Sequence, residues 1–330
     1  MRPRVYVTQP VAASAIARLR EVAEVNLNAD ALHIPGKDEL VAAVRDHEIL
    51  FCLLHDRVDC DVIAANPALR MIASMTITPA DIDTAEATSR GIPVTVIPGA
   101  LLNDATADLA WALLFAVGRR VTEADRLARA GTIPGSQSSY LQAGGISGKT
   151  LGLVGVGGVG RAVAQRARGF PLRVIYHDPR HLNADEEKAL GLRWVAFDEL
   201  LATADYVSIH ANLSPATRHL IGARELNLMK PTACLINTSR GPIVDEEALI
   251  RALTARRIAG AGRDVFEHEP GIAPALLALP NTAITPHMGS AVMELREAMA
   301  NVTVDNIVAV LDGRQPPNCW NREIYASQHA

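Results

Sequence analysis

Four cysteines, Cys52, Cys60, Cys234 and Cys319, lie far apart, with no C-x-x-C pair among them. That scatter offers neither a structural metal site nor a disulfide framework, and it fits a reduced, cytoplasmic setting. Lysine and arginine form no block, and the formal net charge is −4, so charge gives no reason to expect a nucleic-acid partner. No uninterrupted apolar run reaches the roughly 18 residues of a membrane span, so no membrane association is expected. The first ten residues, MRPRVYVTQP, carry two arginines but lack the apolar stretch and small-residue cleavage site of a leader, and they read as a strand. What is present is a globular composition: 330 residues, 49% apolar and 21% charged. That length suffices for two domains, each with its own core.

Apolar β-runs alternate with helical stretches along most of the chain. RVYVTQ, ILFCLLH, LRMIASM and IPVTVI read as strands, and ASAIARLREVA carries apolar residues at helical spacing. This is the rhythm of parallel sheets built from βαβ units. NDATADLAWALLFAVGRRVTEADRLARAG then reads as one long helix, with Asn103, Asp104 and Thr106 as candidate caps and Gly131 as its end. After a Gly/Ser-rich stretch a second α/β series begins, with strands KTLGLVGV, RVIYHD, YVSIHA, ACLINTS, IAGAGRDV and TAITPH. The last forty residues, one amphipathic helix and a tail, are too few to fold alone. The expectation is therefore an α/β protein in which a nucleotide-binding domain, residues 104–290, is inserted into a discontinuous substrate domain, residues 1–103 and 291–330.

LGLVGVGGVG, residues 151–160, places Gly155, Gly157 and Gly160 in a G-x-G-x-x-G pattern between a strand and a helix. Each glycine has a distinct task. Gly155 allows the tight turn, Gly157 allows the backbone to approach a pyrophosphate, and Gly160 allows close helix–strand packing. The helix start at Gly158 and Val159 offers free N–H groups to the phosphates. The next strand ends in Asp178, 18 positions beyond Gly160. An acid there accepts from ribose hydroxyls and repels a 2′-phosphate, which points to NAD as cofactor. Arg180 is close enough in sequence to accommodate such a phosphate, or it is a solvated loop residue.

Three further stretches, INTSRGPIVDEEAL, GAGRDVFEHEP and TPHMGSA, follow strands of the second series. Histidine suits proton transfer near neutral pH, a neighbouring carboxylate stabilises its protonated form, and a guanidinium orients a planar carboxylate through two hydrogen bonds. With these motifs in this order, the sequence resembles the D-isomer-specific 2-hydroxyacid dehydrogenase family over nearly its whole length. The resemblance implies two Rossmann-like domains, the substrate domain being flavodoxin-like, and hydride transfer between NAD(H) and a small anionic 2-hydroxy or 2-oxo acid with D-stereospecificity. It implies that Arg240 grips the substrate, that Glu269 and His287 form the acid–base pair, and that Thr238 and Asp264 lie at the cofactor. Formate dehydrogenases of the family carry glutamine where Glu269 stands, which argues against formate. The resemblance also implies a homodimer paired through the nucleotide domain, with the apolar helix ATADLAWALLFAVG either at that interface or buried within one chain. Taken alone, Arg240 could instead pair with Asp245 or Glu246.

The chain departs from the family in places. The glycine-rich substrate loop is replaced by MTITPADID, where Thr76 and Thr78 stand for glycines and Pro79 follows. Pro79 has no N–H to give and the threonines restrict the backbone. Their hydroxyls, with His55 after its strand and Tyr140 from the Gly/Ser-rich stretch, are candidate substrate contacts, and they suggest an acid larger or more polar than pyruvate or glyoxylate. Arg263 stands where an apolar residue is usual, and the common tryptophans before GKT are missing. Two other functions share the motifs: oxidation of phosphite, and NAD sensing by a non-catalytic binding protein.

Overall fold

A computed structural model describes residues 2–132, 135 and 137–326. Ile133, Pro134 and Ser136 of the Gly/Ser-rich stretch and the tail 327–330 lie outside the described residues. Two compact units form: residues 2–101 with 291–326, and Leu102–Ser290.

The first unit holds a five-stranded sheet of β1 (Arg4–Val7), β2 (Glu24–Leu27), β3 (Ile49–Cys52), β4 (Met71–Ser74) and β5 (Val94–Thr95). Every pairing is parallel, in the order β2-β1-β3-β4-β5. That is the flavodoxin-like order. β3 and β4 are buried at every position, as continuous apolar runs covered on both faces must be. The C-terminal helix Met293–Leu311 packs beside the helix Ala13–Val22 of the same unit. Arg18 there pairs with Asp305 at 2.6 Å, and Ser14 donates to Glu297.

The second unit holds seven strands: β6 (Thr150–Val154), β7 (Arg173–His177), β8 (Leu192–Trp194), β9 (Tyr206–Ile209), β10 (Cys234–Asn237), β11 (Gly260–Arg263) and β12 (Thr282–Ile284). They too are parallel, in the order β12-β11-β10-β9-β6-β7-β8. Read from β6, this is the dinucleotide-binding order 3-2-1-4-5-6 with one more strand, and the direction of winding reverses between β6 and β9. All carboxyl ends therefore share one edge.

The apolar helix ends earlier than its sequence pattern suggests. Asn103–Gly118 is one helix and Val121–Arg129 is another. Arg120 between them adopts left-handed φ (54°), which breaks the helix. The second helix is then tied to the β12 side of the sheet by Thr122 and Arg126, which donate to the carbonyls of Thr282 and Pro280. By length and apolar composition alone Gly99–Gly118 would suffice to cross a membrane. In this fold its Ala107, Ala110, Leu113, Leu114 and Val117 are buried in the unit's own core. The glycines of β11 permit the contact, since a Cβ on Gly260 would lie 2.6 Å from Val117 and one on Gly262 3.0 Å from Leu113.

Candidate active site

The glycine loop sits where β6 and β9 diverge, the crevice in which open α/β sheets bind ligands. Gly155 has φ +92°, and a Cβ there would lie 2.8 Å from the His210 carbonyl group at the end of β9. A Cβ on Gly160 would lie 2.3 Å from the Gly155 oxygen. A Cβ on Gly157 would meet nothing within 4 Å. Gly157 precedes the helix Gly158–Ala167, whose first turn has no side-chain cap, and Val159 within it is partly buried. Asp178 ties the loop to β7: Oδ2 accepts from the Val156 N–H at 3.0 Å and Oδ1 from the Arg180 N–H at 2.9 Å. A carboxylate has about four acceptor positions, so two remain for hydroxyl donors. Across the sheet edge, Thr238 Oγ1 is buried without a partner among the described residues. An uncapped helix start, open space at Gly157 and an orphaned buried hydroxyl fit a dinucleotide.

The loops after β10, β11 and β12 carry the ionisable residues. Asn237 shapes the first: its side chain accepts from the Ser239 N–H and donates to the Arg240 carbonyl. Arg240 Nη1 donates to the Ser239 carbonyl at 2.8 Å. Burial pushes its guanidinium below its usual range, partly offset by the charge of Glu269. The pairing with Asp245 or Glu246 left open by the sequence is not formed. Asp245 instead caps the helix Glu246–Thr254, and Glu246 faces Arg263.

Glu269 Oε2 lies 2.6 Å from His287 Nδ1, and its Oε1 accepts from the Phe266 N–H at 2.8 Å. His287 has left-handed φ (52°), which costs a non-glycine residue of order 1 kcal/mol and requires its surroundings to hold it. Asp264 supplies that hold. Its Oδ1 accepts from Thr285 Oγ1 at 2.6 Å and from the Met288 N–H at 2.8 Å, and Oδ2 accepts from the Gly289 N–H at 2.9 Å. The His287 N–H donates to the Asp264 carbonyl. Burial raises the Asp264 carboxyl above its ordinary value, against these three donors. Its visible task is thus to anchor the loop that bears His287.

In the first unit, His55 follows β3 and Thr76 and Thr78 follow β4, so they share that sheet's carboxyl edge. His55 has φ 73°, in a turn closed by buried Asp56, which accepts from the Leu53 N–H and from Thr8 Oγ1. The Thr76 hydroxyl is spent inside its loop. It donates to the Thr78 carbonyl at 2.8 Å and pairs with Ser74 Oγ at 2.6 Å. Thr78 is exposed. No described residue accepts from the N–H groups of Thr76, Ile77 and Thr78. The Thr76 hydroxyl proton is thus held within the loop, and these backbone N–H groups are left as its other donors. Tyr140 lies beside Arg120, which also grips the Gln142 carbonyl, while Tyr206 at the amino end of β9 donates to Gly145. That is the opposite sheet edge, so Tyr140 is not brought to Arg240, Glu269 and His287.

Sequence reasoning passed over Gly241 and Asp56. A Cβ on Gly241 would fall 1.8 Å from the Phe266 oxygen, so only glycine lets the Arg240 loop lie against the Glu269 loop. Its signal was the bare Arg-Gly-Pro order.

Two parallel sheets, a glycine loop at the winding reversal and a carboxylate–histidine pair beside a half-buried arginine are the features of a nucleotide-dependent oxidoreductase. The family model for the D-isomer specific 2-hydroxyacid dehydrogenase, NAD binding domain, matches residues 111–289. A glyoxylate reductase of Thermococcus litoralis is 42% identical over 99% of each chain. A solved structure from Thermus thermophilus superposes with TM-score 0.87 at 42% identity, covering 96% of this chain and 99% of that one. An NADPH-dependent glyoxylate/hydroxypyruvate reductase of Sinorhizobium meliloti, solved with NADP and malonate, gives TM-score 0.78 at 30% identity over 97% of each chain. The chain belongs to the D-isomer-specific 2-hydroxyacid dehydrogenase family. It is a 2-hydroxyacid oxidoreductase that uses a nicotinamide cofactor.

Proposed function

We propose that this enzyme reduces a small 2-oxo acid of the size of glyoxylate to the corresponding 2-hydroxy acid, with D-stereochemistry where the product is chiral, using NADH. The observation that carries the reading is the 2.6 Å contact between Glu269 Oε2 and His287 Nδ1. When bound, the nicotinamide cofactor supplies the hydride. Residues 155–160 receive its pyrophosphate, Thr238 lies at the same edge, and Asp178 accepts from the ribose hydroxyls and disfavours a 2′-phosphate. Arg240 binds the substrate carboxylate and carbonyl with its planar donor set. Glu269 holds the Nδ1 proton of His287, so the proton given to the substrate oxygen comes from Nε2. In the oxidative direction the same atom takes that proton back.

The substrate loop supports a small acid rather than the larger, more polar one expected from its threonines. With Thr76 latched onto Thr78, the loop presents backbone N–H groups, which suit a carboxylate. We also infer a homodimer through the outer side of Asn103–Gly118, where Leu109 and Phe115 are only partly buried and exposed Phe170 stacks on Trp111 at 5.1 Å.

Steady-state rates with NADH and NADPH over a graded series of 2-oxo acids test the reading. The highest kcat/KM is expected with glyoxylate and NADH, with NADPH disfavoured about tenfold or more. Equal use of both cofactors would remove the role given to Asp178, and a best substrate with a long polar chain would remove the role given to the loop.

A further inference from the structure

The fold seals a cation, Arg263, completely from solvent at the end of β11. Such a charge costs more to bury than an apolar side chain of similar size, even when paired. Its environment compensates it incompletely: Nη1 has no partner among the described residues, and the Glu246 carboxylate is 3.5 Å from Nη2. Burial lowers the guanidinium only to about 10, so it stays charged at neutral pH. Stability alone does not account for it.

Its hydrogen bonds do. Nε and Nη2 both donate to the Val265 carbonyl, at 3.2 and 3.0 Å. The N–H of that same peptide group belongs to Phe266, and it is the donor to Glu269 Oε1. One peptide plane is therefore gripped at its oxygen by Arg263 and presents its hydrogen to Glu269, whose other oxygen meets His287. A cation on the carbonyl also polarises the peptide and strengthens its N–H as a donor. The turn is braced from the side as well. Glu246 Oε2 accepts from the Glu267 N–H, and Glu267 Oε2 accepts from the Glu246 N–H.

We propose that Arg263 is a positioning residue that, through the Val265–Phe266 peptide, holds Glu269 in register with His287. This rests on the acid–base reading of that pair. Arg240 and Arg263 act on Glu269, Asp264 acts on His287, and Glu246 and Glu267 face Arg263 from behind. Loosening Glu269 deprives the imidazolium of its carboxylate, so the ionisation that switches off ketone reduction moves to lower pH. Removing the Arg263 charge without moving Glu269 would shift it the other way, because a nearby cation disfavours the imidazolium.

The test is the pH profile of kcat/KM for the Arg263→Met, Arg263→Lys and Glu269→Gln enzymes. Arg263→Met is expected to lower kcat about tenfold, leave the KM for NADH unchanged and move the profile down by about half a pH unit or more. Arg263→Lys, which keeps a donor for Val265, is expected to recover most of the profile. Should Arg263→Met fail to fold because Glu246 is left buried and unpaired, the Arg263→Met/Glu246→Gln enzyme replaces it, with the same downward shift expected. If Glu269→Gln moves the profile and the Arg263 variants leave it in place or move it upward, the positioning role is wrong. If Glu269→Gln itself leaves the profile in place, the acid–base reading fails and this inference with it.

Discussion

Residue types named three motifs, but not the contacts that make each residue useful. Glu269 and His287 are 18 positions apart in sequence and meet because two parallel strands end at one edge. Asp264, expected at the cofactor, was legible as important; its three bonds to the His287 loop were not, because they depend on tertiary placement. His210 is a core histidine. It is buried, its Nε2 pairs with Ser208 Oγ at 2.9 Å and its Nδ1 has no partner among the described residues. Burial lowers its pKa to about 4, against roughly 6.5 in an unfolded chain. The folded state therefore resists a proton that the unfolded state accepts. Its contribution to stability is full above about pH 6.5 and is lost as pH falls towards 4, at up to ~1.4 kcal/mol per pH unit. Urea denaturation across that window is expected to show this slope in the wild type and a shallower one in His210→Gln. Equal slopes would mean that His210 does not stay neutral in the fold.

At the scale of elements, the buried strands were the readable ones, since apolar runs of four or five residues announce themselves. The two strands missed by sequence, β2 and β8, are both sheet edges. β2 alternates exposed and half-buried positions, and β8 has only three residues, so neither presents an apolar run. The single long helix read from the sequence is two, because one arginine takes a left-handed conformation and the second helix bonds to the β12 side of the sheet. The glycine loop was legible in pattern, and its geometry separates the tasks of its members. Gly160→Ala drives a Cβ into the Gly155 oxygen. It is expected to lower stability by about 1–3 kcal/mol and also to weaken NADH binding. Gly157→Ala has open space for its Cβ, so it is expected to melt like the wild type while binding NADH about tenfold or more weakly. Thermal unfolding with fluorescence titration of NADH checks both. An undiminished affinity in Gly157→Ala would show that no pyrophosphate comes close to the backbone there.

At the scale of the whole molecule, every strand pairing in each sheet is parallel, so the carboxyl ends share a common edge that collects the loops. The rhythm of the sequence pointed to two α/β series, and the short last segment pointed to an interruption of one by the other. Where the Thr76 hydroxyl points was less accessible, because it depends on the folded loop. Assembly belongs to this scale too. Sedimentation velocity at micromolar concentration is expected to give a dimer of the 35.3 kDa chain, and Leu109→Glu is expected to weaken it; a wild-type monomer would exclude the interface inferred on Asn103–Gly118. The most direct test of the whole reading is the rate of NADH consumption with glyoxylate by His287→Asn beside the wild type. A fall in kcat of about 10²-fold or more, with NADH affinity retained, is expected if His287 transfers the proton. A near-wild-type rate would contradict it.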